Sequence, residues 1–88
     1  MEDKVFTLIF SEEVKGSEIA RITGLSESGI YQIKRGDRNY MNITLKTGKI
    51  LANCFDKLER ERRVNRDSSY KKAIKNFYRN SVQMSSNA

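Results

Sequence analysis

Eighty-eight residues, 38% hydrophobic and 32% charged, with no proline and five glycines, suit one small domain of short helices, marginal enough for a second copy to add stability. Residues 1–30 carry three Lys/Arg against six Asp/Glu and residues 31–88 carry fourteen against five, so the net charge of +6 sits in the later part and points there to a polyanionic partner. With no histidine and one cysteine, Cys54, the chain lacks the ligand sets of zinc sites and the base of Ser-His or Cys-His nucleophile pairs, and it has no Gly-rich phosphate loop; neither enzyme chemistry nor a metal or cofactor is expected.

Residues 3–14 place Phe6, Ile9, Phe10 and Val14 at helical spacing. Their β-branched and aromatic content also suits a strand, but no second strand pattern offers a partner, and a helix is the expectation. The Val5–Phe10 run, interrupted by Thr7, lacks the basic leader and cleavage site of a signal peptide. Gly16 breaks the pattern, and Ser17 is a candidate cap for a short helix over 17–23 with Ile19, Ala20 and Ile22 on its apolar side. Gly24 stands where a helix ends in a left-handed residue, and Leu25 is of buried type. Ser26 is a good N-cap for a helix from about Glu27 to Lys34 or Arg35, with Ile30 and Ile33 inside and Gly36 as its stop.

Asp37–Met41 reads as a polar loop. Asn42 or Thr44 then caps a longer helix to about Glu59, whose stripe of Leu51, Cys54, Phe55 and Leu58 is widened by Leu45 and Ile50. Cys54 reads as plain core. A charge run follows from Glu59 to Asp67; the pairs Glu12–Glu13 and Glu59–Glu61 read as solvated acids. Asp67 or Ser68 starts a last helix to about Arg79, with Tyr70, Ala73, Ile74, Phe77 and Tyr78 in one stripe, and residues 81–88 lack periodicity and read as a disordered tail. The expected division is 1–60 and 61–80, the second part holding a basic linker and an amphipathic helix. No run approaches the roughly 20 apolar residues of a membrane span, and the lone cysteine suits a reducing cytoplasm.

The informative stretch is GSEIARITGLSESGIYQIKRG, residues 16–36. Two short helices that cross steeply need a small residue where they touch, and Ala20 supplies it. Their turn needs positive φ, which Gly24 adopts at little cost, and Ile19, Leu25, Ile30 and Ile33 pin the unit to a core. This stretch resembles the helix-turn-helix of the Cro/phage-repressor-like (XRE-type) family, the resemblance covering about Val14 to Leu58. Thr23 stands where that family usually has an aliphatic residue, and Gly16 where it often has a Gln or Thr that anchors to phosphate.

The resemblance implies an all-α, lambda-repressor-like bundle of about five helices and a sequence-specific regulator of transcription, most simply a repressor of phage or mobile-element type. The second motif helix would enter the major groove with its N-terminal end leading. On it Glu27, Ser28, Tyr31 and Gln32 are candidate base contacts: Gln32 suits adenine, Glu27 cytosine N4, Ser28 either role, and Tyr31 a thymine methyl or a phosphate. Ser17, Lys34, Arg35, Arg38 and Asn39 are candidate phosphate contacts. Glu27 equally suits the positive end of its own helix. Arg60, Arg62, Arg63 and Arg66 fit either phosphates or a solvated linker, and Lys71, Lys72, Lys75 and Arg79 either extend a DNA footprint or solubilise the last helix. That helix either folds back on its own domain or meets its copy in a homodimer. Double-stranded DNA is the expected partner, with no membrane and no small-molecule ligand evident. The alternative is a protein-binding inhibitor or adaptor on the same fold, which the acidic first third and the aromatic last helix would serve; RNA binding has weaker support.

Overall fold

A helix that is apolar on every side must be surrounded, and the first helix is. The computed structural model describes residues 2–86, and side chains over residues 4–79. Among these the order is α1 (Glu2–Phe10), α2 (Gly16–Thr23), α3 (Glu27–Arg35), a single 3₁₀ turn (Tyr40–Asn42), α4 (Leu45–Arg60) and α5 (Ser68–Ser86). No strand occurs among the described residues, and the protein is all-α. Every residue from Val5 to Ser11 is buried, and α1 lies against α4 and α5 with α3 touching it as well.

α1 stops at Phe10, four residues before the expected end. Ser11 still donates its amide to the Thr7 carbonyl. Glu12 then turns into the left-handed region at φ 62, and Glu13 donates its amide to Ser11 Oγ. Val14 is buried as expected, but from the connecting turn rather than the helix.

The C-terminus of a buried helix leaves carbonyls that water cannot reach. Here two distant helices supply the donors. Lys34 Nζ, from α3, donates to the Ile9 carbonyl at 2.9 Å. Asn76 Nδ2, from α5, donates to the Phe10 carbonyl at 2.8 Å and the Ser11 carbonyl at 3.3 Å. Rings reinforce the same end. Phe6, Phe10, Tyr40 and Phe77 stack in tilted and edge-on pairs with centroids 5.1 to 6.3 Å apart, each such pair adding about 0.5–1.5 kcal/mol beyond its burial.

The α4 stripe is as expected at Leu51, Cys54, Phe55 and Leu58, all buried, with Ile50 half-buried. Thr44, not Asn42, is the cap and accepts the Thr47 amide. Leu45 does not widen the stripe: it is 63% exposed. The polar loop is also less polar than its composition. Asn39 caps a 3₁₀ turn by accepting the Met41 amide, and this turn delivers Tyr40 to the ring cluster.

α5 folds back on its own domain. Ser69 and Ala73 are fully buried, and Tyr70, Ile74 and Phe77 pack on the core while Tyr78 remains 63% exposed. Its start is set by Asn65, whose Oδ1 accepts the amides of Asp67 and Ser68. Val64, inside the charge run, is buried. One hydrophobic cluster therefore runs from Val5 to Ala73, with the helix of the expected 61–80 part packed on the rest. The helix does not end near Arg79: it continues to Ser86 through residues expected to be a tail. Neither Gly nor Pro interrupts this stretch, and extending an existing helix needs no new nucleus. Asn87 and Ala88, the rest of that expected tail, lie outside the described residues.

Replacing Asn76 with Ala leaves the Phe10 and Ser11 carbonyls without their donor. Urea unfolding followed by circular dichroism is expected to show a loss of about 1–3 kcal/mol, as a lower midpoint at unchanged slope. An unchanged midpoint would mean that water satisfies these groups.

Candidate nucleic-acid interface

Residues 16–36 fold as two short helices joined by a three-residue turn. The turn is built from local chemistry. Gly24 sits at φ 77, ψ 6 and closes α2 by donating its amide to the Ala20 carbonyl at 2.8 Å. Thr23, at the position expected to be aliphatic, spends its hydroxyl within the motif, donating to the Ile19 carbonyl at 2.6 Å and accepting the Leu25 amide at 3.2 Å. Ser26 caps α3 by accepting the Gly29 amide at 3.3 Å. Gly36, at φ 85, ends it.

One expected cap is corrected. α2 begins at Gly16, with Lys15 at the N-cap position and no side-chain cap bond. Ser17 lies inside the first turn, where its hydroxyl is exposed and does not cap the helix.

Burial divides the motif into two faces. Ile19, Ile30 and Ile33 are buried, with Ala20, Ile22 and Leu25 packed against the core. On the opposite side of α3, Glu27, Ser28, Tyr31 and Arg35 are exposed and Gln32 is half-exposed. The four residues expected to meet bases thus share the solvent side of one helix. Ser28 Oγ lies 3.2 Å from Ser26 Oγ. Tyr31 leans back: the end of its ring lies over Gly16.

The candidate phosphate ligands separate. Ser17, Arg35, Arg38 and Asn39 are exposed. Arg35 pairs with Asp37 at 3.2 Å, and the Asn39 carbonyl oxygen is occupied in its cap. Lys34 turns the other way. It is half-buried, and burial pushes its pKa below the ordinary lysine value, opposed by the charge of Glu12. Lys34, expected to meet phosphate, is instead drawn towards the core: position 34 falls on the α1 side of α3, where its ammonium gives one of its three donors to the Ile9 carbonyl. Open clefts flank the helix. One, of about 360 Å³, lies between the start of α3 and that of α4 and is lined by Ser26, Ile30, Arg38, Thr44 and Thr47 among others.

The basic run is partly consumed within the fold. Arg63 makes a two-pronged pair with Glu18 of α2, and Arg21 lies 3.6 Å from the same carboxylate. Arg66 pairs with Glu59 at 2.9 Å. On α5, Lys72 pairs with Glu13 at 2.9 Å. Arg60, Arg62, Lys71, Lys75 and Arg79 are exposed. Cys54 is buried, and burial raises its pKa, so it is held as the thiol.

The Gly16–Tyr31 approach, the Lys34 anchor and the Arg63–Glu18 pair all escape sequence reasoning. No periodicity marks them, since each joins elements whose relation is set only by the complete fold. No helix among the described residues is long and apolar enough to cross a membrane. Comparison with protein-family models, curated proteins and solved structures finds no match.

The Arg63 hydrogen bonds, aided by its charge, hold the Glu18 carboxyl below its ordinary value of 4.5, against a smaller opposing effect of burial. A depressed carboxylate stabilises the fold fully above the unfolded value and loses that contribution as pH falls through the folded value. Thermal melts from pH 7 to pH 3 should therefore show wild type more stable than Arg63→Met at neutral pH, with the two curves converging below about pH 4.5. A gap that stays constant with pH would assign the loss to packing of the Arg63 side chain.

Proposed function

We propose that the chain is a sequence-specific, double-stranded-DNA-binding regulator of transcription with a lambda-repressor-like helix-turn-helix, acting as a repressor and not as an enzyme. The observation that carries this reading is the division of α3: Ile30 and Ile33 are held in the core, while Glu27, Ser28 and Gln32 face solvent together. A helix held this way has its polar edge free for the major groove. Gln32 offers an amide to adenine N6 and N7, Glu27 an acceptor to cytosine N4, and Ser28 either a donor or an acceptor.

Phosphates would be met by Arg38 and Arg35, with Ser17 at the other end of the motif, and the net charge of +6 favours approach to a polyanion. Arg35 can leave its exposed bridge to Asp37 for a phosphate, because surface pairs of this kind are worth only about 0–1 kcal/mol. We further propose that the chain acts as a homodimer. Met41, Leu45 and Tyr78 are exposed large apolar residues that a second copy would cover. Two α3 helices would then lie about 34 Å apart on a near-palindromic site.

Affinity for duplex DNA, measured by fluorescence anisotropy, is expected to fall linearly in log–log form with salt, by about 0.9 per phosphate neutralised. Gln32→Ala is expected to lose about 1–3 kcal/mol of discrimination at one base pair while non-specific binding stays unchanged. Binding indifferent to salt would contradict the DNA reading, and an equal loss on every sequence would remove Gln32 from the readers.

A further inference from the structure

Tyr31 occupies an unusual place for a residue on the outer side of α3. Gly16, the first residue of α2, is buried. A Cβ added to it would stand 3.0 Å from Tyr31 Cζ and 3.2 Å from both Cε atoms. Of the ring atoms, the one nearest that position is Cζ, the carbon that carries the hydroxyl. The ring spans from α3 back to the start of α2, yet keeps 36% of its surface open. A side chain at position 16 would meet the ring at a distance tighter than most Cβ contacts, so the ring would have to give by a few tenths of an ångström.

We propose that Tyr31, seated on Gly16, is a DNA-backbone contact and positioning residue rather than a reader of bases. The proposal rests on the helix-turn-helix reading above. In that geometry the first motif helix crosses the sugar–phosphate backbone, while the leading residues of the second meet base edges. A side chain rooted on the second helix but held over the start of the first has its hydroxyl on the backbone side. The phenol donates a hydrogen bond to a phosphate oxygen, which fixes the register of α3 without reading sequence. Gly16 and Tyr31 thus form one device: with no side chain at position 16, the tyrosine ring sits over the start of α2. Glu27, Ser28 and Gln32 remain as the readers.

Two measurements test this with the full chain. The first is a thermal cycle without DNA. In a Tyr31→Ala background, Gly16→Ala is expected to raise Tm, because alanine is the better helix former. With Tyr31 present the same change raises Tm less or lowers it. Equal effects in both backgrounds would overturn the seat. The second uses Tyr31→Phe, which keeps the ring and removes the hydroxyl. Its Tm should match wild type. Its affinity should fall about threefold to tenfold, the size of one hydrogen bond, equally on a selected site and on an unrelated duplex. The salt slope should not change, because a hydroxyl donor releases no counterion. A loss confined to the selected site, a changed base preference, or no loss at all would overturn the backbone role. A wild-type chain that binds no duplex would overturn the functional reading together with this role, whereas the thermal cycle reports on the seat separately.

Discussion

The structure depends on how the buried end of α1 is satisfied. A nine-residue helix enclosed along its apolar length cannot leave its last carbonyls bare, and each unpaired group would cost about 1–3 kcal/mol. Lys34 and Asn76 reach those carbonyls from α3 and α5. Each of the two bonds therefore has a second effect. It fixes a helix that is distant in sequence against the centre of the fold, at the point where the rings of Phe6, Phe10, Tyr40 and Phe77 already gather. Burying a lysine at this position disfavours its charged form, and the carbonyl it reaches offsets that cost.

This constraint bears on the outward side of α3. A helix of nine residues has little stability of its own, so its direction must come from what holds it. Ile30 and Ile33 anchor the inner side, Ser26 and Gly36 close the ends, and Lys34 ties the last turn to α1. What remains outside is a short polar edge on a rigid mount, the arrangement a recognition surface needs. The cations follow the same division of labour. Arg63, Arg66 and Lys72 are paired with Glu18, Glu59 and Glu13, whereas Arg38 remains on the surface beside the motif. A count of basic residues alone overstates how many stand ready for a polyanion.

Features written in local chemistry were legible in the sequence. The glycines at 24 and 36 end helices in the left-handed region, Ser26 and Thr44 cap the next ones, and Leu51 to Leu58 form a buried stripe; each depends on residues within a turn or two of one another. What was not legible depends on long separations. Lys34 meets a carbonyl 25 positions away and Asn76 one 66 positions away, and nothing near either residue distinguishes it from a solvated polar side chain. Val64 hides in a run of charges because one apolar residue shows no period. Ser17 does not cap α2 because Gly16, which has the composition of a breaker, is itself helical and lies under a tyrosine ring. The outward placement of Glu27, Ser28 and Gln32 was legible, since it follows from the helical period once Ile30 and Ile33 are assigned to the core.

The central proposal is that the motif from Gly16 to Asn39 meets duplex DNA while α1 and the inner face of α5 hold it still. Amide chemical-shift mapping on the full chain, titrated with a duplex selected from a random pool, addresses it directly. The account predicts shifts concentrated at residues 16–18 and 26–39, with the amides of Leu8, Ile9 and Ala73 unmoved. Shifts centred on α5, or an unperturbed motif in the presence of bound DNA, would contradict it.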